Sequence, residues 1–214
     1  VARVDQRLRP WGSAGQLAIP LIACGDYYEV HGREWERFAL LKARPVAGDL
    51  GLGSELLQTL KPFIYRKYLD FGVFESIRDL KSKIESEVRR NGRETNLKVG
   101  RGGIREIEFI VQSLQLLRGG QIPKLQVSGF LNALRALVDE TILSQEDGRQ
   151  LRDDYLWLRH VEHVIQAEND QQTQELPTDC GQLATILGFE TASQFESHRR
   201  VVTDRVHEAF TAFM

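Results

Sequence analysis

The chain contains 214 residues, of which 42% are hydrophobic, 27% are charged and 8% are aromatic. This apolar content is ordinary for a globular protein and excludes a largely disordered chain. Lys and Arg together number 28 against 30 for Asp and Glu, and a net charge of −2 argues against nucleic acid as a bulk partner. The apolar stretches are far shorter than the roughly 20 residues that span a bilayer, so we expect no membrane partner.

The cysteines and the methionine indicate the setting of the chain. Two cysteines without a CxxC pair or a secretory segment favour a reducing cytoplasm. The single methionine is the last residue, and the first residue is valine. We therefore expect the sequence to be a piece of a longer, cytoplasmic protein.

The first twenty residues predict a β-hairpin. Alternating polarity over residues 1–9 predicts a strand, and residues 10–15 are typical of a turn. Residues 16–19 predict a short returning strand. Because an isolated hairpin is marginally stable, it is expected to belong to a larger sheet.

One face of the predicted first strand carries Asp5 together with Arg3, Arg7 and Arg9. Guanidinium groups can hold phosphate oxygens by paired hydrogen bonds, and a carboxylate can bind a divalent metal ion. An internal ladder of ion pairs accounts for the same pattern. Both interpretations remain open from the residues alone.

Beyond Pro20 the sequence predicts a bundle of helices. Capping-box spacing at Ser144 and at Thr191 marks two helix starts, and Pro62 is expected to break or kink the third helix. Trp35 lies on an apolar stripe and is expected in the core. The predicted helices cover residues 21–30, 34–44, 54–68, 71–91, 104–118, 128–141, 145–168, 181–187 and 192–213.

The most informative stretch begins at Lys98 and leads into the helix predicted from residue 104. Gly102 and Gly103 precede that helix, and its first turn contains Arg105 and Glu106. Free N–H groups at a helix start favour an anion, and glycines allow a ligand or another backbone to approach closely.

A narrow polar stripe follows along the same helix, between apolar residues on both sides. Its members are Arg105, Glu108, Gln112 and Gln115. Because a buried charged stripe needs partners, it either forms salt bridges between helices or lines a cleft.

Three blocks of the sequence resemble the glutamine synthetase adenylyltransferase/adenylyl-removing enzyme family. The blocks VDQRLRPWGSAGQLA, GREWERFALLKAR and GRGGIREIEFIVQ occur in that family's order and spacing. Enzymes of this family contain two nucleotidyltransferase halves, and the adenylylating half typically reads GGITDIEF at the third block. This chain reads GGIREIEF and also has KPFIYRKYLDF, which resembles the amino-terminal, adenylyl-removing half.

The resemblance implies a function in the regulation of nitrogen assimilation. It implies phosphorolysis of adenylyl-tyrosine on glutamine synthetase with release of ADP, and it implies the signalling protein PII as a further partner. It implies Mg²⁺ as cofactor, with ATP or ADP and phosphate as substrates or products. It also implies a mainly α fold: residues 1–48 are the hairpin remnant of a nucleotidyltransferase α/β domain, and residues 49–214 form the helical bundle.

The resemblance also assigns roles to residues. Asp5 matches the third metal-binding acid of such sites, and the first two acids are expected upstream of Val1, so the chain alone is expected to be inactive. Arg7 and Arg9 are candidates for contacts to phosphate or to the metal-site acids. The remaining candidates for nucleotide or phosphate binding, on the edge of the helical domain, are Lys98, Gly102, Gly103, Arg105 and Glu106.

Three alternatives to this function remain. The chain can instead belong to the adenylylating half, which transfers AMP from ATP to glutamine synthetase. It can act as a non-catalytic helical module that binds PII or glutamine synthetase. It can also be a structural bundle that separates two catalytic domains.

Overall fold

The computed structural model describes residues 6, 8–66, 71–91, 96–169 and 173–213, and it describes the backbone alone at residues 71–74, 84, 87–91, 168 and 169. Two short 3-10 helices, Gly12–Ala14 and Pro123–Leu125, accompany the α-helices. The α-helices are α1 (Leu21–Val30), α2 (Glu34–Leu40), α3 (Leu50–Ile64), α4 (Phe71–Asn91), α5 (Ile104–Arg118), α6 (Phe130–Asp139), α7 (Gln145–Asn169), α8 (Gly181–Ile186) and α9 (Ala192–Ala212).

The prediction of a mainly α-helical fold is confirmed. Each of the nine predicted helices has a counterpart, and the bounds differ by a few residues. Helix α3 starts earlier than predicted because the side chain of Asp49 accepts a hydrogen bond from the Leu52 N–H at 3.0 Å and caps the helix. Pro62 does not break this helix, which continues to Ile64. Pro62 lacks the N–H of one backbone hydrogen bond, and the helix ends two residues after it.

The predicted hairpin is not shown. Residues 1–5 and 7, and with them most of the predicted first strand, lie outside the described residues. In the part that is described, residues 16–19 form no strand, and an isolated antiparallel bridge between Asn96 and Glu175 is the one β-type pairing. The turn after Arg9 is instead closed by the Arg9 side chain, whose Nε donates to the carbonyl oxygen of Gly15 at 3.1 Å.

The chain divides into two units, each assembled from two separate segments. The first unit consists of Val1–Ile77 and Gln112–Ala136, and the second of Arg78–Val111 and Leu137–Met214. Helices α4, α5 and α6 therefore each supply residues to both units.

The first unit has a core of side chains from α1, α3, α5 and the end of α2, namely Cys24, Tyr27, Tyr28, Leu41, Leu60, Ile64 and Leu116. Arg37 is fully buried beside this core. Its Nε and Nη2 donate to the carbonyl oxygen of Ile64 at 3.1 and 2.8 Å, and its Nη1 bonds Glu34 at 2.6 Å. The guanidinium thus satisfies the carboxyl end of α3 while Glu34 balances its charge. Trp35, expected in the core, is 41% exposed, so that prediction is wrong.

The second unit is built around contacts among α7, α8 and α9. On α9, the side chains of Phe195, Val206 and Phe210 are fully inaccessible. Lys81 of α4 donates to the carbonyl oxygens of Thr211 and Phe213 at 3.2 and 3.0 Å and so caps the carboxyl end of α9. Among the described helices, none combines the length and the apolar composition needed to cross a membrane.

Candidate functional site

The candidate site is the segment that leads into helix α5. Residues 96–105, which we name the basic turn, carry three cationic side chains: Lys98, Arg101 and Arg105. Arg101 is exposed, whereas Lys98 and Arg105 are half-buried. The basic turn lies within the second unit.

Asn96 anchors the beginning of the basic turn. Its side-chain Oδ1 accepts hydrogen bonds from the N–H groups of Lys98 and Val99 at 3.0 and 2.9 Å. Its Nδ2 donates to a carboxylate oxygen of Glu175 at 2.6 Å, and the Leu97 N–H donates to the Gln174 carbonyl at 2.9 Å. The turn is therefore tied both to itself and to the segment around residue 175.

The backbone donors at the start of α5 already have acceptors inside the protein. The N–H groups of Ile104 and Arg105 donate to the carbonyls of Leu97 and Lys98 at 3.0 and 2.9 Å. The Gly103 N–H likewise donates to the Gly100 carbonyl at 3.0 Å. An anion at this site would therefore be bound by side chains rather than by these backbone groups.

The two predicted glycines allow another backbone to approach. Gly102 has φ +69°, and a Cβ at this position would lie 1.9 Å from the carbonyl oxygen of Thr203 in α9. A Cβ on Gly103 would lie 2.7 Å from the carbonyl oxygen of Leu97. Both glycines thus have a packing function in the structure. Their contact with a phosphate stays a prediction.

Glu106 connects three parts of the second unit. Its side chain is nearly inaccessible, and its carboxylate oxygens lie 3.1 and 3.3 Å from Nδ1 of His207 in α9. The carboxylate also accepts a hydrogen bond from the Gly102 N–H. Burial raises the pKa of Glu106, and the bonds from His207 and Gly102 act in the opposite direction.

Arg101 forms an ion pair with Asp204, one turn before His207 on α9. Both side chains are about half exposed, so the pair contributes little to stability. The hydrogen bond from Arg101 nevertheless lowers the pKa of Asp204. The basic turn and α9 are therefore joined by a neutralised surface pair next to the buried Glu106–His207 contact.

The polar stripe on α5 forms bonds within the protein. Glu108 accepts a hydrogen bond from Arg159 of α7 at 3.0 Å, and Arg159 also bonds Glu162 at 2.7 Å. In the first unit, Nε2 of Gln115 donates to the carbonyls of Leu125 and Val127 at 2.9 and 3.0 Å. Of the two predicted alternatives, salt bridges between helices or the lining of a cleft, Glu108 forms a salt bridge to another helix.

The predicted site residues fall into two groups. Asp5 and Arg7 lie outside the described residues, and Arg9 is occupied in closing its own turn through the carbonyls of Gln6, Ser13 and Gly15. The others share the basic turn or the first turn of α5: Lys98, Gly102, Gly103, Arg105 and Glu106.

Sequence reasoning missed His207 and Asp204, which contact the basic turn from α9. A signal was present for His207. Thr203, His207 and Phe210 are spaced i, i+4 and i+7, so they share one helix face, and Phe210 belongs to the core. A histidine on a face bordering the core, in the helix that packs on the turn, is a candidate partner for a buried acid.

The described residues do not contain a metal centre. Within them, no group of three or more His, Cys, Asp or Glu side chains is placed to hold a metal ion. Asp5, the predicted ligand, lies outside this part of the chain. The Mg²⁺ site therefore stays a prediction.

Family comparisons cover nearly the whole chain. The family model described as GlnD PII-uridylyltransferase matches residues 78–214, and the model described as glutamate-ammonia ligase adenylyltransferase matches residues 1–59. The basic turn and all of its contacts on α9 thus lie in the first of these matches.

Three curated relatives are named bifunctional glutamine synthetase adenylyltransferase/adenylyl-removing enzyme. The proteins from Hahella chejuensis, Pseudomonas syringae pv. tomato and Nitrosococcus oceani are 54%, 46% and 46% identical over 88%, 94% and 99% of this chain. The matches cover 20%, 21% and 23% of those proteins, so the chain spans about a fifth of the length of the relatives it matches. The chain belongs to the family that the GlnD PII-uridylyltransferase model describes, and its homologues at this identity are bifunctional adenylyltransferase/adenylyl-removing enzymes.

Proposed function

We propose that this chain is part of the adenylyl-removing half of a bifunctional enzyme that acts on glutamine synthetase in the cytoplasm. The reaction is phosphorolysis of adenylyl-tyrosine, which releases ADP. The observation that carries the proposal is the identity of 45–54% with enzymes named for this pair of activities, over most of the chain. The blocks GGIREIEF and KPFIYRKYLDF support the adenylyl-removing half.

In this proposal the residues of the chain bind and orient anionic groups. Phosphoryl and nucleotidyl transfer depend on positioning and on neutralisation of charge by Mg²⁺ and basic side chains. Asp5 supplies one metal-binding carboxylate, and Arg7 and Arg9 are the candidates for contacts to phosphate or to the metal-site acids. Residues 1–48 are then the remnant of the nucleotidyltransferase domain with its hairpin, and residues 49–214 are the helical bundle.

The basic turn takes a defined part in the proposal. Its backbone donors are bonded internally, so the side chains of Lys98 and Arg105 supply the contacts to phosphate oxygens. Glu106, with Gly102 and Gly103, holds the turn that carries them.

The first test is Asp5→Asn in a protein of the relatives' full length that carries this sequence. Two reactions are measured: release of ADP from adenylylated glutamine synthetase with phosphate and Mg²⁺, and AMP transfer from ATP to the unmodified synthetase. We expect loss of ADP release by about a thousandfold or more, because a metal-binding carboxylate is removed, with AMP transfer retained.

Asp26→Asn, at an exposed position on α1, is the matched control and is expected to leave both reactions unchanged. Loss of AMP transfer with ADP release intact would assign the chain to the adenylylating half. If Asp5→Asn affects neither reaction, Asp5 is not a metal ligand, and the adenylyl-removing proposal loses its catalytic residue.

A second candidate is a non-catalytic helical module that binds PII. It is favoured by the match of residues 78–214 to a family whose name contains PII. Capture of purified PII by the chain, weakened by E146Q combined with D153N in the acidic part of α7, would support this function. Capture of adenylylated glutamine synthetase, with PII left unbound, would favour the enzymatic proposal instead.

A further inference from the structure

His207 occupies a position that the proposed function leaves unexplained. It lies on α9, more than one hundred residues after the basic turn, and its side chain is 26% exposed. Its Nδ1 contacts both carboxylate oxygens of Glu106, at 3.1 and 3.3 Å. The imidazole is therefore joined to a buried acid rather than to solvent alone.

Glu106, the acid that His207 contacts, also contacts the basic turn. The Glu106 side chain is 4% exposed, and its carboxylate accepts a second hydrogen bond, from the Gly102 N–H. A buried carboxylate requires donors, because an unpaired charge is strongly unfavourable away from water. His207 and Gly102 contact the carboxylate from two sides.

The other charged groups around the pair are few. Arg101 faces it from the basic turn, and Asp204, paired with Arg101, precedes His207 on α9. From α4, Lys81 lies over the ring of Phe210, and the His207 ring lies 6.4 Å from the same Phe210 ring. Of these groups, His207 alone contacts the Glu106 carboxylate by a side-chain hydrogen bond.

The backbone of the basic turn packs closely against α9. Gly102 packs so closely on Thr203 that a Cβ would overlap the Thr203 carbonyl. The same stretch of α9 thus provides the surface for Gly102, the partner of Arg101 and the donor to Glu106.

We propose that His207 is a positioning residue: through Glu106 it holds the basic turn against α9, in the arrangement in which Lys98 and Arg105 bind the phosphate oxygens of the substrate. This inference rests on the proposed function for the identity of the substrate. It assigns no direct contact between His207 and substrate.

The experiment compares two amide substitutions in the full-length enzyme. Asn places its side-chain N–H where Nδ1 of histidine lies, whereas Gln places it where Nε2 lies. His207→Gln is expected to raise the KM for phosphate by about tenfold or more while kcat changes little, because a displaced turn weakens binding of the anion. His207→Asn is expected to keep the KM within about threefold of the original value.

Glu208→Gln, the exposed next residue on α9, is the matched control and should leave both constants unchanged. Equal effects of the Asn and Gln variants on KM would overturn the inference, as would a loss confined to kcat. Since both variants carry a neutral amide of similar size, a general loss of stability would affect them alike.

A second readout separates the inference from the proposed function. If the unsubstituted full-length enzyme releases no ADP from adenylylated glutamine synthetase, the proposed function fails. Hydrogen exchange at the Gly102 amide of the 214-residue chain still tests the positioning. We expect faster exchange in His207→Gln and nearly unchanged exchange in His207→Asn, whereas unchanged exchange in both would refute the positioning.

Discussion

Gly102 and Gly188 have similar backbones but different surroundings, which allows strain and crowding to be separated. Their φ values are +69° and +81°. Nothing lies within 4 Å of a Cβ on Gly188, whereas a Cβ on Gly102 meets the Thr203 carbonyl. We expect Gly188→Ala to lower the free energy of unfolding by about 1 kcal/mol, from the backbone alone. Gly102→Ala adds overpacking and should cost about 3 kcal/mol.

Urea denaturation of the 214-residue chain, followed by circular dichroism, measures both losses. The difference between the two variants is the informative quantity, because the backbone term is common to them. Equal losses would mean that Gly102 does not pack on α9 as described.

The protonation of Glu106 predicts a dependence of stability on pH. Burial is the largest effect on this group and raises its pKa above the ordinary 4.5. A carboxyl group whose pKa is higher in the folded protein stabilises the fold below its unfolded pKa, and this contribution disappears as the pH rises through the folded pKa. The original chain should therefore lose stability relative to Glu106→Gln as the pH rises from 4.5 towards neutrality.

The urea midpoints of both chains, measured at intervals from pH 4.5 to 7.5, check this prediction. A difference in midpoint that grows in favour of the original chain with rising pH would contradict a raised pKa.

At the residue scale, the sequence identifies the residues of the candidate site, but it does not identify the residues that contact them. Gly102 and Glu106 stand out from their place at a helix start. Their partners Thr203 and His207 do not, because the contact joins positions about one hundred residues apart. The prediction for Trp35 failed for a different reason. A helical stripe identifies the apolar face of α2 but not the depth at which each of its side chains is buried.

At the scale of elements, the start of α9 offers a direct test of capping. The side chain of Thr191 accepts a hydrogen bond from the Gln194 N–H at 3.1 Å, as the sequence spacing predicts. Thr191→Ala should lower the free energy of unfolding by about 1 kcal/mol. Ser193→Ala, at an exposed position in the first turn, removes a hydroxyl that caps nothing and is expected to cost close to zero.

Thermal unfolding of the three chains gives the comparison, since both variants delete one small hydroxyl group from the same helix. A loss of similar size in Ser193→Ala would show that the effect does not come from the capping bond of Thr191. The second bond of the capping box is absent here, because the Gln194 side chain accepts from the Glu190 N–H instead.

Helix positions were predictable because the information is local. Apolar spacing and capping residues define each helix within its own sequence, so all nine helices were identified. Local information does not decide between a break and a kink at Pro62, beyond which α3 continues for two residues. It also fails for the polar stripe of α5, because the choice between salt bridge and cleft depends on Arg159, which lies in another helix.

At the scale of the whole molecule, family membership was predictable and the division into units was not. Long blocks in a fixed order identified the family, and the comparisons agree with that resemblance. The division of the chain depends on contacts between segments that are distant in the sequence. Hydrophobic periodicity carries no information about such contacts. The proposed boundary at residue 48 stays a prediction.

Because α4, α5 and α6 each belong partly to both units, no single cut in the chain separates one unit from the other. A fragment made by cutting within any one of these helices would contain an incomplete version of at least one unit. Melting of either unit would also release helical turns that continue into the other, so the two are expected to share one cooperative transition.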